Sequence, residues 1–106
     1  MATGILGTAD LAGTTNTTVY TVPVDTFSIV TVNITNRSTV SRNIRLALAA
    51  TGTPTNDEYI EFDSELLGNG TIERSGVVVD AGKNIVAYAD NTDVSVVVYG
   101  IETATA

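Results

Sequence analysis

The stretch Val77–Ala89, VVVDAGKNIVAYA, followed after a short polar turn by Val94–Glu102, VSVVVYGIE, decides the fold class. β-Branched side chains are stiff at χ1 and pack well on a pleated surface, so runs this rich in Val and Ile read as strands. Gly82 lies in the DAGKN segment, where a tight reversal or a bulge asks for a positive φ. The two runs read as neighbouring strands of one sheet.

Working outward, the same pattern recurs upstream. Thr26–Asn36 (TFSIVTVNITN) places Val30, Val32 and Ile34 on one face and Thr31, Asn33 and Thr35 on the other, the period of two of a half-buried strand. Asn43–Ala50 (NIRLALAA) repeats it with Ile44, Leu46 and Leu48, and Asn36–Ser41 (NRSTVS) reads as the hairpin turn that joins the two strands into a meander. Thr18–Val22 closes at Pro23, which lacks the N–H that a central strand uses. Tyr59–Phe62 and Thr71–Ser75 read as short strands on either side of Gly68-Asn69-Gly70, and Thr51–Asn56 (TGTPTN) collects turn formers. A helix through Asp57–Leu67 is the alternative for that segment. Residues 1–16 read as an N-terminal arm or edge strand and residues 103–106 as a tail. Turn signals recur about every 8–12 residues, which implies an all-β chain: one antiparallel β-sandwich, Ig-like or jelly-roll-like, of about 7–9 short strands.

Composition narrows the chemistry. With 106 residues the chain is one domain's worth. Histidine and cysteine are both absent, which removes Ser-His and Cys-His nucleophiles, thiolates and His-based zinc sites. Asp57, Glu58, Glu61, Asp63 and Glu65 form the densest acidic segment, but a carboxylate pair for glycoside hydrolysis needs an aromatic-lined cleft, and the chain has no Trp and only 4 Tyr. The segment therefore reads as a solvated or partner-facing edge. Asp90, Asn91 and Asp93 lack the glycine and the distal Glu of a calcium loop. The expectation is a non-enzymatic protein without cofactor or metal.

A net charge of −7, from 12 carboxylates against 5 bases, disfavours nucleic acid and anionic membrane surfaces. The opening MATGILGTADLAG lacks the basic and long apolar regions of a secretion signal, so synthesis in a cytoplasm is expected. Charge is segregated: Arg37, Arg42 and Arg45 fall on or beside one hairpin, whereas Asp57–Glu65, with Asp57, Glu58, Glu61 and Asp63, supplies most of the local negative charge. Two copies can meet base to acid in a homo-oligomer; the alternative is ordinary ion pairing within one monomer, where each exposed pair contributes about 0–1 kcal/mol. The apolar opening, with Ile5, Leu6 and Leu11, offers an edge to a neighbour. These ten residues are the candidate protein–protein contacts.

The order of signals, TVYTVP, FSIVTVNITN, IRLALA, VVVDAGKNIVAYA and VSVVVYGIE, with Tyr20, Pro23, Asn36, Gly82 and Gly100 as its most recognisable positions, resembles the small β-sandwich structural proteins of tailed bacteriophages. That family includes capsid decoration (cement) proteins and tail- or fibre-associated proteins. The resemblance spans Thr18–Glu102 and implies a virion component, present in many copies on the outer surface and docked on the major capsid protein or other virion proteins. A capsid decoration protein is the leading expectation. A tail, neck or fibre component and a carbohydrate-binding β-sandwich module are the competing ones.

Overall fold

The computed structural model describes residues 2–105. Eight strands follow one another: β1 (Thr3–Leu11), β2 (Thr17–Thr21), β3 (Thr26–Asn36), β4 (Arg42–Ala49), β5 (Tyr59–Leu66), β6 (Thr71–Val79), β7 (Asn84–Ala89) and β8 (Val94–Ala104). A 3₁₀ turn at Asn56–Glu58 precedes β5, and the alternative helix through Asp57–Leu67 does not form. The strands make two antiparallel sheets, β1-β8-β3-β6 (sheet A) and β2-β7-β4-β5 (sheet B).

The pairing is nested: β1 with β8, β2 with β7, β3 with β6 and β4 with β5. The chain is thus one long hairpin with its tip at residues 50–58, rolled up until β3 also meets β8 and β4 also meets β7. This is jelly-roll order, the second of the two sandwich topologies that the strand pattern allows.

Rolling corrects three sequence expectations. Val77–Ala89 is not one strand: Val77–Val79 ends β6 in sheet A, a turn with Gly82 at φ +78 crosses the sandwich, and Asn84–Ala89 is β7 in sheet B. Its two halves lie in opposite sheets, and so do β7 and the following β8, rather than side by side. Likewise β3 and β4 form an arch between sheets, not a meander. A hairpin and an arch share the same inward-outward alternation, so local pattern does not separate them; what differs is the side-chain chemistry that holds the turn. Asn36, fully buried, supplies it. Its amide nitrogen donates to the carbonyls of Val40 (2.9 Å) and Leu66 (3.0 Å), while its side-chain oxygen accepts from the Ser38 N–H (2.9 Å).

The third correction concerns the C-terminal end of the chain. Residues 103 and 104 belong to β8 opposite Phe27 and Thr26, and the Thr105 N–H donates to the Asp25 carbonyl at 2.9 Å, so this segment is sheet rather than tail; Ala106 lies outside the described residues. At the other end no correction is needed: of the two readings of residues 1–16, arm or edge strand, β1 takes the second, paired on β8, with Met1 outside the described residues.

The core between the sheets is aliphatic: Val30, Val32 and Ile34 from β3 and Val94, Val96 and Val98 from β8 meet Ile44, Leu46 and Ile85 from the other sheet. Each such burial contributes about 1.5–3 kcal/mol. Gly100 lets β8 approach β3, because a Cβ there would stand 2.1 Å from the Ile29 carbonyl oxygen. One end is closed by a polar latch. Tyr20, from sheet B, shares a 2.7 Å hydrogen bond with the buried Ser28 hydroxyl and donates to the Glu102 carboxylate, both on sheet A. The Ala2 N–H donates to the other Glu102 oxygen at 3.0 Å.

Candidate functional site: two outer faces

Strand edges are the first place where a sandwich can recruit a partner, and all four are irregular. The pairings that carry the edge strands β1, β2, β6 and β5 each contain a register shift, whereas the interior pairings β3–β8 and β4–β7 run without one. Bulges twist an edge and interrupt its row of free N–H and C=O groups, so strand addition is disfavoured and contact falls to the outer faces.

On sheet B the outer face is built around Arg45. The extra residue in β5 between the Ile44–Ser64 and Leu46–Glu61 partners sets both Phe62 and Asp63 opposite Arg45, with Asp63 at φ +50. From the other side Arg45 is partnered with Tyr88 of β7. The guanidinium lies 4.3 Å from the Phe62 ring centre and 4.5 Å from that of Tyr88, and donates to both Asp63 oxygens, at 2.6 and 3.3 Å. Tyr59 meets Phe62 edge to face at 4.9 Å. Beside them, Asn56, Tyr59 and Phe62 line an open depression of about 480 Å³. Phe62 is 55% exposed although its ring packs against Arg45 and Tyr59. Further along β4 and β7 this face is closed: Ala47, Ala49 and Val86 are buried there with Tyr59 of β5 against them.

On sheet A the outer face carries a different surface. The cross-strand partners Val78, Ile29 and Ile101 form one outward row, and Thr31, Tyr99 and Ile5 the next. Exposure is 62% for Val78, 40% for Ile29, 44% for Ile101 and 71% for Ile5. Among the described residues, four of the eight large apolar side chains left exposed therefore share this face. The carboxylates facing outward from its strands are Asp10, joined to Arg37, and Glu73, which accepts from the Tyr99 hydroxyl at 3.1 Å. Asp10 lies two rows away from the apolar pair, whereas Glu73 borders the second row through its contact with Tyr99.

The ten candidate contacts disperse over this scaffold. Ile5 is on the apolar face, Leu6 is half-buried against the core, and Leu11 is a core residue at 2% exposure, which removes it from any surface. Arg37 pairs with Asp10, and the Arg42 Nε donates to the Thr92 carbonyl at 3.0 Å, so both tie loops at one end of the sandwich. Arg45 and Asp63 form the sheet B cluster, while Glu61 crosses to Arg74 of β6 at 2.9 Å. Asp57 and Glu58 stand in the 3₁₀ turn. There Glu58 accepts from the Thr55 and Ala50 N–H groups, which lower its pKa below the usual carboxylate value. Of these charges, Arg37, Arg45, Glu61 and Asp63 have ion-pair partners within the chain.

Sequence reasoning missed Phe62 and Tyr88 as partners of Arg45, because the bulge that brings Phe62 into place has no local signature. The apolar outer face did leave one: Val77–Val79 and Ser28–Val30 put aliphatic residues on both faces of a strand, where a solvated face alternates. No acidic cluster among the described residues is arranged to hold a metal ion. Comparison with known proteins returns no match, neither a family model nor a curated protein nor a solved structure.

Proposed function

We propose that this chain is a non-enzymatic structural protein of a tailed-bacteriophage virion, a capsid decoration protein that binds the outer lattice through the sheet B face around Phe62. The observation that carries the reading is the exposed Phe62 ring, held between Arg45, itself paired with Asp63, and Tyr59. Aromatic and arginine side chains dominate the energetic centres of protein interfaces, and a ring already held in one rotamer loses little entropy on docking. Blunted strand edges and a rigid aliphatic core suit a protein that works by shape.

Counting copies on purified virions tests the proposal. Decoration requires on the order of hundreds of copies, and a tail, neck or fibre part about a dozen, as closed ring symmetry dictates. Loss of the wild-type count in a Phe62→Ala virion supports the sheet B contact. Labelling confined to the tail, or absence from particles, overturns the decoration reading. A carbohydrate-binding module is the second reading, favoured by one feature: the Asn56 amide stands beside the Tyr59 and Phe62 rings at the open depression. It requires glycan-array binding that Phe62→Ala abolishes.

A further inference from the structure

We propose that the depression beside Phe62 seats an arginine side chain of the protein on which this chain docks. The inference rests on docking through the sheet B face and adds the chemistry of the partner. Three properties of the site select that occupant. First, its walls are two rings and an amide: Tyr59 and Phe62 stand edge to face at 4.9 Å, and Asn56 completes the lining of the hollow of about 480 Å³. A cation over a ring is attracted by the ring quadrupole, and the oxygen of the Asn56 amide accepts one of its N–H groups. Second, the chain already shows this chemistry at the same ring. Its own Arg45 guanidinium lies 4.3 Å from the Phe62 centre and 4.5 Å from that of Tyr88.

Third, charge favours a base and opposes an acid. Residues 46–72 contain five carboxylates and no Lys or Arg. Asp63 neutralises Arg45 and Glu61 pairs with Arg74, so an incoming base meets no uncompensated cation from Arg45. Asp57, Glu58 and Glu65 have no ion-pair partner among the described residues. Asp57 and Glu58 follow Asn56 in the 3₁₀ turn beside the hollow. Glu58 is turned back on the Thr55 and Ala50 N–H groups, whereas Asp57 is exposed and one of its oxygens accepts from the Thr55 hydroxyl. Asp57 is therefore the carboxylate left for the partner. A guanidinium suits these groups better than an ammonium, because it is planar, weakly hydrated and carries N–H groups for Asn56 and Asp57 while it lies on a ring.

Titration of the full chain with the tripeptide acetyl-Gly-Arg-Gly-amide, followed by NMR of the aromatic ring protons, tests the seat. The control is the same peptide with citrulline, which keeps the shape and loses the charge. Saturable shifts are expected at the Tyr59 and Phe62 rings and not at Tyr20 or Tyr99, up to about 50 mM peptide, a range that reveals millimolar dissociation constants. The citrulline peptide binds at least about fivefold more weakly, and salt at about 0.5 M weakens the arginine peptide. Phe62→Ala and Asp57→Asn, each checked for an unchanged melting curve, weaken it at least about fivefold and about threefold. No saturable shift at Tyr59 and Phe62, equal affinity for the citrulline peptide, indifference to salt, or undiminished affinity in either variant would each overturn the proposal. Shifts at these rings with methyl glucoside and none with the arginine peptide overturn it in favour of the carbohydrate reading. Copy number on virions is a separate readout, so a failed titration leaves the decoration reading standing, and a failed count beside a positive titration leaves the arginine seat.

Discussion

On sheet B the outward residues Tyr88, Arg45, Phe62 and Asp63 are held by one another, whereas on sheet A the outward residues Val78, Ile29 and Ile101 are cross-strand partners in a row that stays exposed. The inner faces are alike, both aliphatic and both sealed. Difference between the outer faces therefore teaches what each contributes. A cation stacked on two rings and paired with a carboxylate stabilises the monomer, while an uncovered aliphatic row contributes little until something excludes water from it.

The largest expected effect tests the likeness of the inner faces. Ile34→Ala in sheet A and Leu46→Ala in sheet B should each cost about 2–5 kcal/mol in urea unfolding, through a single transition. Two separate transitions would mean that the sheets do not share one core. Next, Arg45→Ala should cost about 1–2 kcal/mol, since it removes two ring contacts and the partner of Asp63, and Arg45→Lys should recover only part of it because an ammonium lacks the planar fork. Equal stability of Arg45→Ala and wild type would make the cluster a surface ornament and erase the contrast between the faces.

The latch that joins the sheets predicts a pH dependence. The hydrogen bond from Tyr20, then the Ala2 N–H, holds the Glu102 carboxyl below its usual value of 4.5. A depressed carboxylate stabilises the fold fully above that value and loses its contribution as pH falls through the lower folded pKa, so Glu102→Gln should flatten the acid limb of a stability curve. Burial, and then the bond to Glu102, push Tyr20 up to about 12 from 10.0. Its contribution is complete below 10.0 and is lost as pH rises toward 12, because the unfolded chain ionises first. Tyr20→Phe should abolish that alkaline loss and cost about 1 kcal/mol at neutral pH. The smallest effect belongs to sheet A: Ile29→Thr should change stability by no more than about 0.5 kcal/mol in urea unfolding.

Strand β3 was legible because one of its faces meets the core: Val30, Val32 and Ile34 alternate with Thr31, Asn33 and Thr35, and each lies where the alternation puts it. Pairing was not legible. The sequence places Val77–Val79 and Asn84–Ala89 in one run, and only the crossing turn at residues 80–83 assigns them to different sheets. The basic and acidic segments were equally visible as complements, but whether they join two chains or one is a matter of distance. Arg45 and Asp63 are far apart in sequence and adjacent across β4 and β5.

By itself the sequence determined the all-β class and the inward set of aliphatic residues, because both follow from a period of two and from branched Cβ atoms, which are local properties. It also determined which chemistries are absent, since residue types without His or Cys cannot supply them. Tertiary structure alone decided the rolled order of the strands, the bulge that turns Phe62 and Asp63 onto Arg45, and the gathering of Ile5, Ile29, Val78 and Ile101 on one face. Those depend on which distant strands hydrogen-bond, and backbone hydrogen bonds are the same for every residue but proline.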